Sequence, residues 1–253
     1  MNLESESRWV KAGEINTHYM VAGEGSPLIL LHGGANDWSD WELNVGPLSQ
    51  YYRVYAPDLV GYGLSDGPEV DYSMSYFVDF LYNFTQALEL RRANLAGYSL
   101  GGGIALGFAL RFPSRVEKLV LVDSTGLGKY INPLGRFIGT LGALARGLRG
   151  NRALPHLKGT EQVIFLDMLP EVQASTLIVW GKRDIYLPVA YAYAARKLLA
   201  NSDLHVFPRS GHAPHKERSE EFNQLFLDFL GGKSSETSSI MSTSPLTRLP
   251  PAD

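Results

Sequence analysis

A serine flanked by glycines two residues away on each side, Gly97-Tyr98-Ser99-Leu100-Gly101, is the densest chemical signal in the chain. An apolar run, Asn94-Leu95-Ala96, enters it as a strand would, and a small-residue run from Gly102 to Leu110 leaves it as a helix would. This spacing predicts a strained strand-to-helix turn that lifts the serine hydroxyl clear of a sheet edge. The glycines are needed where backbone meets backbone inside the turn. A serine at a helix N-terminus also has amide N–H groups aimed at negative charge that develops beside it.

A serine hydroxyl attacks an electrophile only when a base takes its proton and a third group orients that base. His212, after Ser210-Gly211, is the best base, and Asp184, after Trp180-Gly181-Lys182-Arg183, is the best orienting acid. His215 is expected at the surface or behind the base, and Asp123 is the weaker alternative to Asp184. Asp58, in the run Asp58 to Asp66, reads as a loop organiser, and His32 as a structural hydrogen-bonding residue. Oxyanion stabilisation needs two amide donors, expected from Leu100 and from Gly34 in the His32-Gly33-Gly34 turn.

The elements that must position these residues are legible as short apolar runs alternating with helical patterns. Leu28–Leu31, Tyr52–Ala56, Ala93–Ala96, Val116–Val122, Thr176–Trp180 and Asp203–Phe207 read as strands. Ser73–Leu88, Gly102–Arg111, Pro188–Leu199 and Ser219–Leu230 read as helices, with Phe222, Leu225, Phe226, Phe229 and Leu230 on one face of the last. Arg8–Val21 reads as an antiparallel hairpin pair at the edge. Continuous apolar strands separated by helices predict an α/β fold: a mostly parallel sheet covered on both faces. His32, Asp58, Ser99, Asp123, Asp184 and His212 each follow a predicted strand end, where open α/β sheets place their ligand crevice.

Two segments break the alternation. Residues 126–175 form an insertion long enough for a short helical cap, with Leu134, Phe137, Ile138, Leu141, Leu144 and Leu148 as a helical stripe. From Gly126 to Thr160 it has no acidic residue, while Lys129, Arg136, Arg146, Arg149, Arg152 and Lys158 are cationic. Its glycines weaken the helix by up to ~1 kcal/mol each. Residues 1–230 thus make the core, with 126–175 inserted, and 231–253, rich in Ser, Thr, Pro and Gly, is expected to be a disordered tail.

Bulk composition narrows the rest. A chain of 253 residues, 45% hydrophobic and 19% charged, suits one α/β domain. The formal charge of −3 gives no reason to expect nucleic acid, and zero cysteines exclude disulfides and thiolate chemistry. No apolar segment approaches membrane-spanning length, and the start carries acids where a signal peptide is basic, so the expected compartment is cytoplasmic. No metal or organic cofactor is implied, because acids and histidines fall at separate strand ends without short ligand spacings. Oligomeric state is left open.

Taken in order, His32-Gly33-Gly34, Asp58-Leu59-Val60-Gly61-Tyr62-Gly63-Leu64-Ser65, Gly97-Tyr98-Ser99-Leu100-Gly101-Gly102, Trp180-Gly181-Lys182-Arg183-Asp184 and Ser210-Gly211-His212 resemble the signature of the α/β-hydrolase fold superfamily. The likeness runs from about Trp9 to Leu230. It implies an enzyme with a Ser99–His212–Asp184 triad and an acyl-enzyme, acting on a carboxylic ester or related acyl bond of a small molecule. Tyr98, Arg136 and Arg146 are the expected substrate-contacting residues. Epoxide hydrolases and haloalkane dehalogenases use an aspartate nucleophile, so Ser99 argues against both. The run Leu204 to His212 is also similar to hydrolases that break C–C bonds in ring-opened aromatic acids, which makes that reaction the alternative. Those enzymes usually carry tryptophan after the histidine, where this chain has Ala213, and their cap is usually longer. A non-catalytic ligand-binding protein is the third reading.

Overall fold

A computed structural model describes residues 5–34, 36–128 and 164–231. Eight strands form one sheet: β1 Glu6–Ala12, β2 Ile15–Ala22, β3 Pro27–Leu31, β4 Arg53–Pro57, β5 Ala93–Tyr98, β6 Val116–Val122, β7 Ser175–Gly181 and β8 Ser202–Phe207. Their order is β1-β2-β4-β3-β5-β6-β7-β8. The first hairpin and the β2–β4 pair are antiparallel, and every pairing from β4 through β8 is parallel. The strand order reverses at β3, which opens a crevice beyond the C-terminal strand ends.

The strands are apolar on both sides because both sides are covered. Ile29, Leu31, Leu119, Leu121, Ile178 and Trp180 pack into one core, with α2 Met74–Ala87 and α3 Leu100–Arg111 over them. Their neighbours in sequence, Leu28, Leu30, Val120, Val122, Leu177 and Val179, face the other core. That second core is closed by α1 Glu42–Ser49 and by Phe222, Phe226, Leu227 and Leu230 of α6 Ser219–Leu230. This is the period-two alternation of a strand buried on both faces. The remaining α-helices among the described residues are α4 Ala190–Leu198 and the single turn α5 Pro214–Glu217. Among the described residues no helix is long and apolar enough to cross a membrane.

The described stems of the β6–β7 insertion pack on the core. Phe165 N–H donates to the Gly126 carbonyl at 2.8 Å, and Phe165, Leu169, Val172 and Ala174 are buried with the α2–α3 core. Residues 129–163, which hold the expected cap helix with Arg136 and Arg146, lie outside the described residues, as does the expected tail beyond Gly231.

Candidate active site

The turn after β5 has the strain its sequence predicts. Ser99 sits at φ 51°, ψ −113°, and caps α3. A non-glycine residue there costs of order 1–3 kcal/mol and persists only where its surroundings hold it. They do so here: Ser99 N–H donates to Val122 O at 2.9 Å, and Ser99 O accepts from the Thr125 amide at 3.0 Å and the Thr125 hydroxyl at 3.2 Å. A Cβ on Gly97 would overlap the backbone of Gly101, and one on Gly101 would overlap that of Leu31 and His32. Both positions therefore require glycine.

Asp184 follows β7 in a tight loop. Its Oδ1 accepts the amides of Tyr186 at 2.7 Å and Leu187 at 3.0 Å, which points Oδ2 at His212. The His212 turn is drawn against β7, since a Cβ on Gly181 would overlap Gly211 O. Glu217 of α5 then straps the turn by accepting the amides of Gly211 at 2.9 Å and Ala213 at 3.3 Å.

The three side chains meet although 113 positions separate the serine from the histidine: His212 Nδ1 lies 2.7 Å from Asp184 Oδ2, and Nε2 lies 3.1 Å from Ser99 Oγ. The Asp184 side chain is fully covered and that of His212 is 16% exposed. An ionised carboxylate can only accept, so Nδ1 carries the proton, and the bare Nε2 accepts from the Ser99 hydroxyl. The imidazole packs between the rings of Tyr98 at 5.2 Å and Tyr186 at 4.8 Å.

Gly34 and Leu100 are neighbours: a Cβ on Gly34 would lie 3.4–3.5 Å from the Leu100 side chain. In the first turn of α3, Gly101 N–H donates to His32 O, and those of Gly102 and Gly103 donate to Ser99 O. Helix geometry gives the Leu100 amide no intrahelical acceptor. The turn preceding Gly34 is fixed from behind, where Asp40 Oδ2 accepts Gly33 N–H at 3.0 Å. Asp40 Oδ1 in turn accepts from Lys216 Nζ at 2.5 Å and Asn36 at 2.9 Å. Burial pushes the Asp40 carboxyl up, but those hydrogen bonds outweigh it and hold it below its ordinary range.

His32 and Asp58 are scaffold residues, as their contexts imply. His32 Nδ1 donates to Gly33 O at 2.7 Å and its Nε2 accepts Leu59 N–H at 2.9 Å, while burial pushes its pKa down. Asp58 accepts the amides of Trp38 and Leu64, both at 2.9 Å, and the His18 imidazole at 2.8 Å. Ser7 Oγ lies 2.9 Å from the other nitrogen of His18. The serine–histidine–aspartate set thus recurs at the sheet edge, but Ser7 lies within an extended strand rather than on a strained turn.

Neighbours of the site settle one open sequence reading and add a pair that the sequence did not expose. Of the two places expected for His215, the structure takes the one behind the base: it is fully buried against Trp41 at 4.6 Å and Tyr98 at 4.5 Å, because α5 folds its side chain back beneath the site. The Asp40–Lys216 pair joins residues 176 apart, and no spacing rule could find it. Asp123, Asp184 and His212 offer three ligand atoms within 4.8 Å of one another. The His212 and Asp184 atoms among them serve the hydrogen bond just described.

The family model described as the alpha/beta hydrolase fold matches residues 26–138. The 2-hydroxy-6-oxo-2,4-heptadienoate hydrolase of Pseudomonas putida is 31% identical over 92% of this chain and 99% of its own. That alignment is 273 positions long, so about forty of them face no residue of this 253-residue chain. The structure superposes on a meta-cleavage product hydrolase from Pseudomonas fluorescens with TM-score 0.78 and 27% identity, over 91% of this chain and 98% of that one. It superposes on carboxylesterase CesB from Bacillus subtilis with TM-score 0.82 and 25% identity, over 92% and 93%. The chain belongs to the α/β-hydrolase fold family and is a hydrolase.

Proposed function

We propose that this chain hydrolyses a carboxylic ester or related acyl bond of a small molecule through a covalent acyl-enzyme on Ser99. The observation that carries the reading is the continuous hydrogen-bonded path from Ser99 Oγ through His212 to Asp184, at 3.1 and 2.7 Å. Ser99 attacks the carbonyl carbon while His212 Nε2 takes its proton. Asp184 holds the tautomer and stabilises the imidazolium. The amides of Leu100 and Gly34 receive the oxyanion. His212 returns the proton to the leaving group, then activates the water that releases the acyl group. Tyr98, under the imidazole, and Arg136 and Arg146 of the insertion are the proposed substrate contacts.

The similarity to a 2-hydroxy-6-oxo-2,4-heptadienoate hydrolase over nearly its whole length supports a second reading, C–C hydrolysis of a ring-fission product. There Arg136 or Arg146 would hold the substrate carboxylate. Ala213 after the histidine and the forty unmatched positions favour the ester reading. Purified protein is assayed on short-chain nitrophenyl esters beside a chromogenic ring-fission product, with Ser99→Ala as the blank. Ester turnover abolished in Ser99→Ala supports the first reading; turnover of the ring-fission product alone replaces it with the second. Ser99-dependent labelling by a fluorophosphonate separates either from a binding protein, which would fold and stay unlabelled.

A further inference from the structure

Asp123, at the end of β6, is a buried acid that the relay described above does not use. Its backbone holds φ 39°, and its N–H donates to Val179 O at 3.0 Å. Oδ1 accepts Gly181 N–H at 3.0 Å. Oδ2 is buried and meets no hydrogen-bond donor among the described residues. Asp123 lies beside another acid: one oxygen or nitrogen from each of Asp123, Asp184 and His212 lies within 4.8 Å of the others, and the Asp123 and Asp184 side chains are within hydrogen-bonding reach of each other.

Two carboxylates that close, out of water, do not both ionise. The charge belongs to Asp184, whose Oδ1 has two amides and whose Oδ2 has the imidazole, against one amide on Asp123. Among the described residues, the other ionisable groups whose charge acts with Asp123 are Glu217 of α5 and Tyr98 of β5, neither of which supplies a cation. A carboxylate at Asp123 would leave Oδ2 an orphaned acceptor pointed at an anion. A carboxylic acid there is a donor with an acceptor in reach.

We infer that Asp123 is a neutral carboxylic acid whose O–H is donated to the Asp184 carboxylate, a positioning residue for the Ser99–His212–Asp184 relay. Burial, then the Asp184 charge, push the Asp123 carboxyl well above its ordinary range, and the Gly181 amide opposes them only in part. The consequence for the base is specific. A second negative charge beside His212 would stabilise the imidazolium and work against the bare Nε2 that must accept the Ser99 proton. A neutral acid orients Asp184 without adding that charge.

The catalytic part of this inference rests on the proposed hydrolase reading, while the protonation state does not. At pH 7 the infrared spectrum of Ser99→Ala protein, which cannot turn over, is expected to show the carbonyl stretch of a buried protonated carboxyl. Asp123→Asn is expected to lack it. Absence of the band, or its persistence in Asp123→Asn, overturns the inference whether or not the protein is a hydrolase. In kinetics, Asn keeps one acceptor for Gly181 and one N–H for Asp184. Asp123→Asn should keep kcat/KM within about threefold of wild type, with the acidic limb of its pH profile unmoved. Asp123→Val, which removes the donor, should lower kcat by about tenfold with KM little changed. A downward shift of that limb by about one pH unit in Asp123→Asn would mean an ionised Asp123 and would sink the idea.

Discussion

Lys216 reaches Asp40 across 2.5 Å, and Asp40 also accepts the amide of Gly33, so one ion pair joins the turn after His212 to the turn before Gly34. The pair is mostly hidden, with Asp40 5% and Lys216 34% exposed in their side chains. Removing the cation leaves a buried carboxylate short of a partner. Lys216→Met is expected to lose about 1–3 kcal/mol of stability and to slow fluorophosphonate labelling of Ser99. Unchanged denaturation midpoint and labelling rate would show that the two turns are held independently. The pH dependence has a definite sign. A carboxyl held low when folded adds stability above its unfolded pKa of about 3.9 and loses it as pH falls through the folded value. The stability gap between wild type and Asp40→Asn should therefore be full at neutral pH and close in acid.

His215 loses stability in acid too, but through burial of a neutral imidazole rather than through an ion pair. Burial pushes its imidazole down to about 3, so the folded protein keeps it neutral while the unfolded chain protonates near pH 6.5. Stability from this group is complete above pH 6.5 and falls as pH drops, by roughly 2 kcal/mol between pH 7 and 5. His215→Leu, similar in size and without a proton to take, should flatten that slope in denaturant titrations at the two pH values. Parallel slopes would contradict the assignment.

The two aspartates that bond histidines should separate by phenotype. Asp184→Asn frees His212 to take the wrong tautomer and is expected to lower kcat by about 10³–10⁴ with little change in melting temperature. Asp58→Asn removes an acceptor from the set that holds His18, Trp38 and Leu64. It should cost about 1–3 kcal/mol of stability and leave kcat nearly intact. Thermal melts and initial rates on both variants decide the matter.

Gly101 and Gly46 make a matched pair. A Cβ at Gly101 meets Leu31 and His32 backbone, which cannot yield, whereas one at Gly46 in α1 meets nothing within 4 Å. Gly101→Ala should abolish Ser99 labelling or soluble yield. Gly46→Ala should leave Ser99 labelling and soluble yield intact, with the helical gain of alanine offset by its place before Pro47 so that stability changes by less than about 1 kcal/mol.

Sequence pattern exposed the parts of this fold that are locally determined. The eight strands and four long helices carry strong periodicity, and Ser99, Asp184 and His212 were readable because each follows a strand end. Helix α1 was not, because Gly46 and Pro47 interrupt it and its apolar residues make no stripe. The depth of His215 was hidden for a similar reason, since α5 is a four-residue turn with no period of its own. The Asp40–Lys216 pair and the closeness of Asp123 to Asp184 depend on which strands lie side by side, and only the assembled sheet supplies that.

The path from Ser99 to Asp184 runs wholly through loops rooted in β5, β7 and β8. Residues 129–163 contribute none of its three members. Replacing that stretch with one from a relative is therefore expected to leave the hydrogen-bonded path from Ser99 to Asp184 in place, so that any change in substrate preference would trace to the exchanged residues alone.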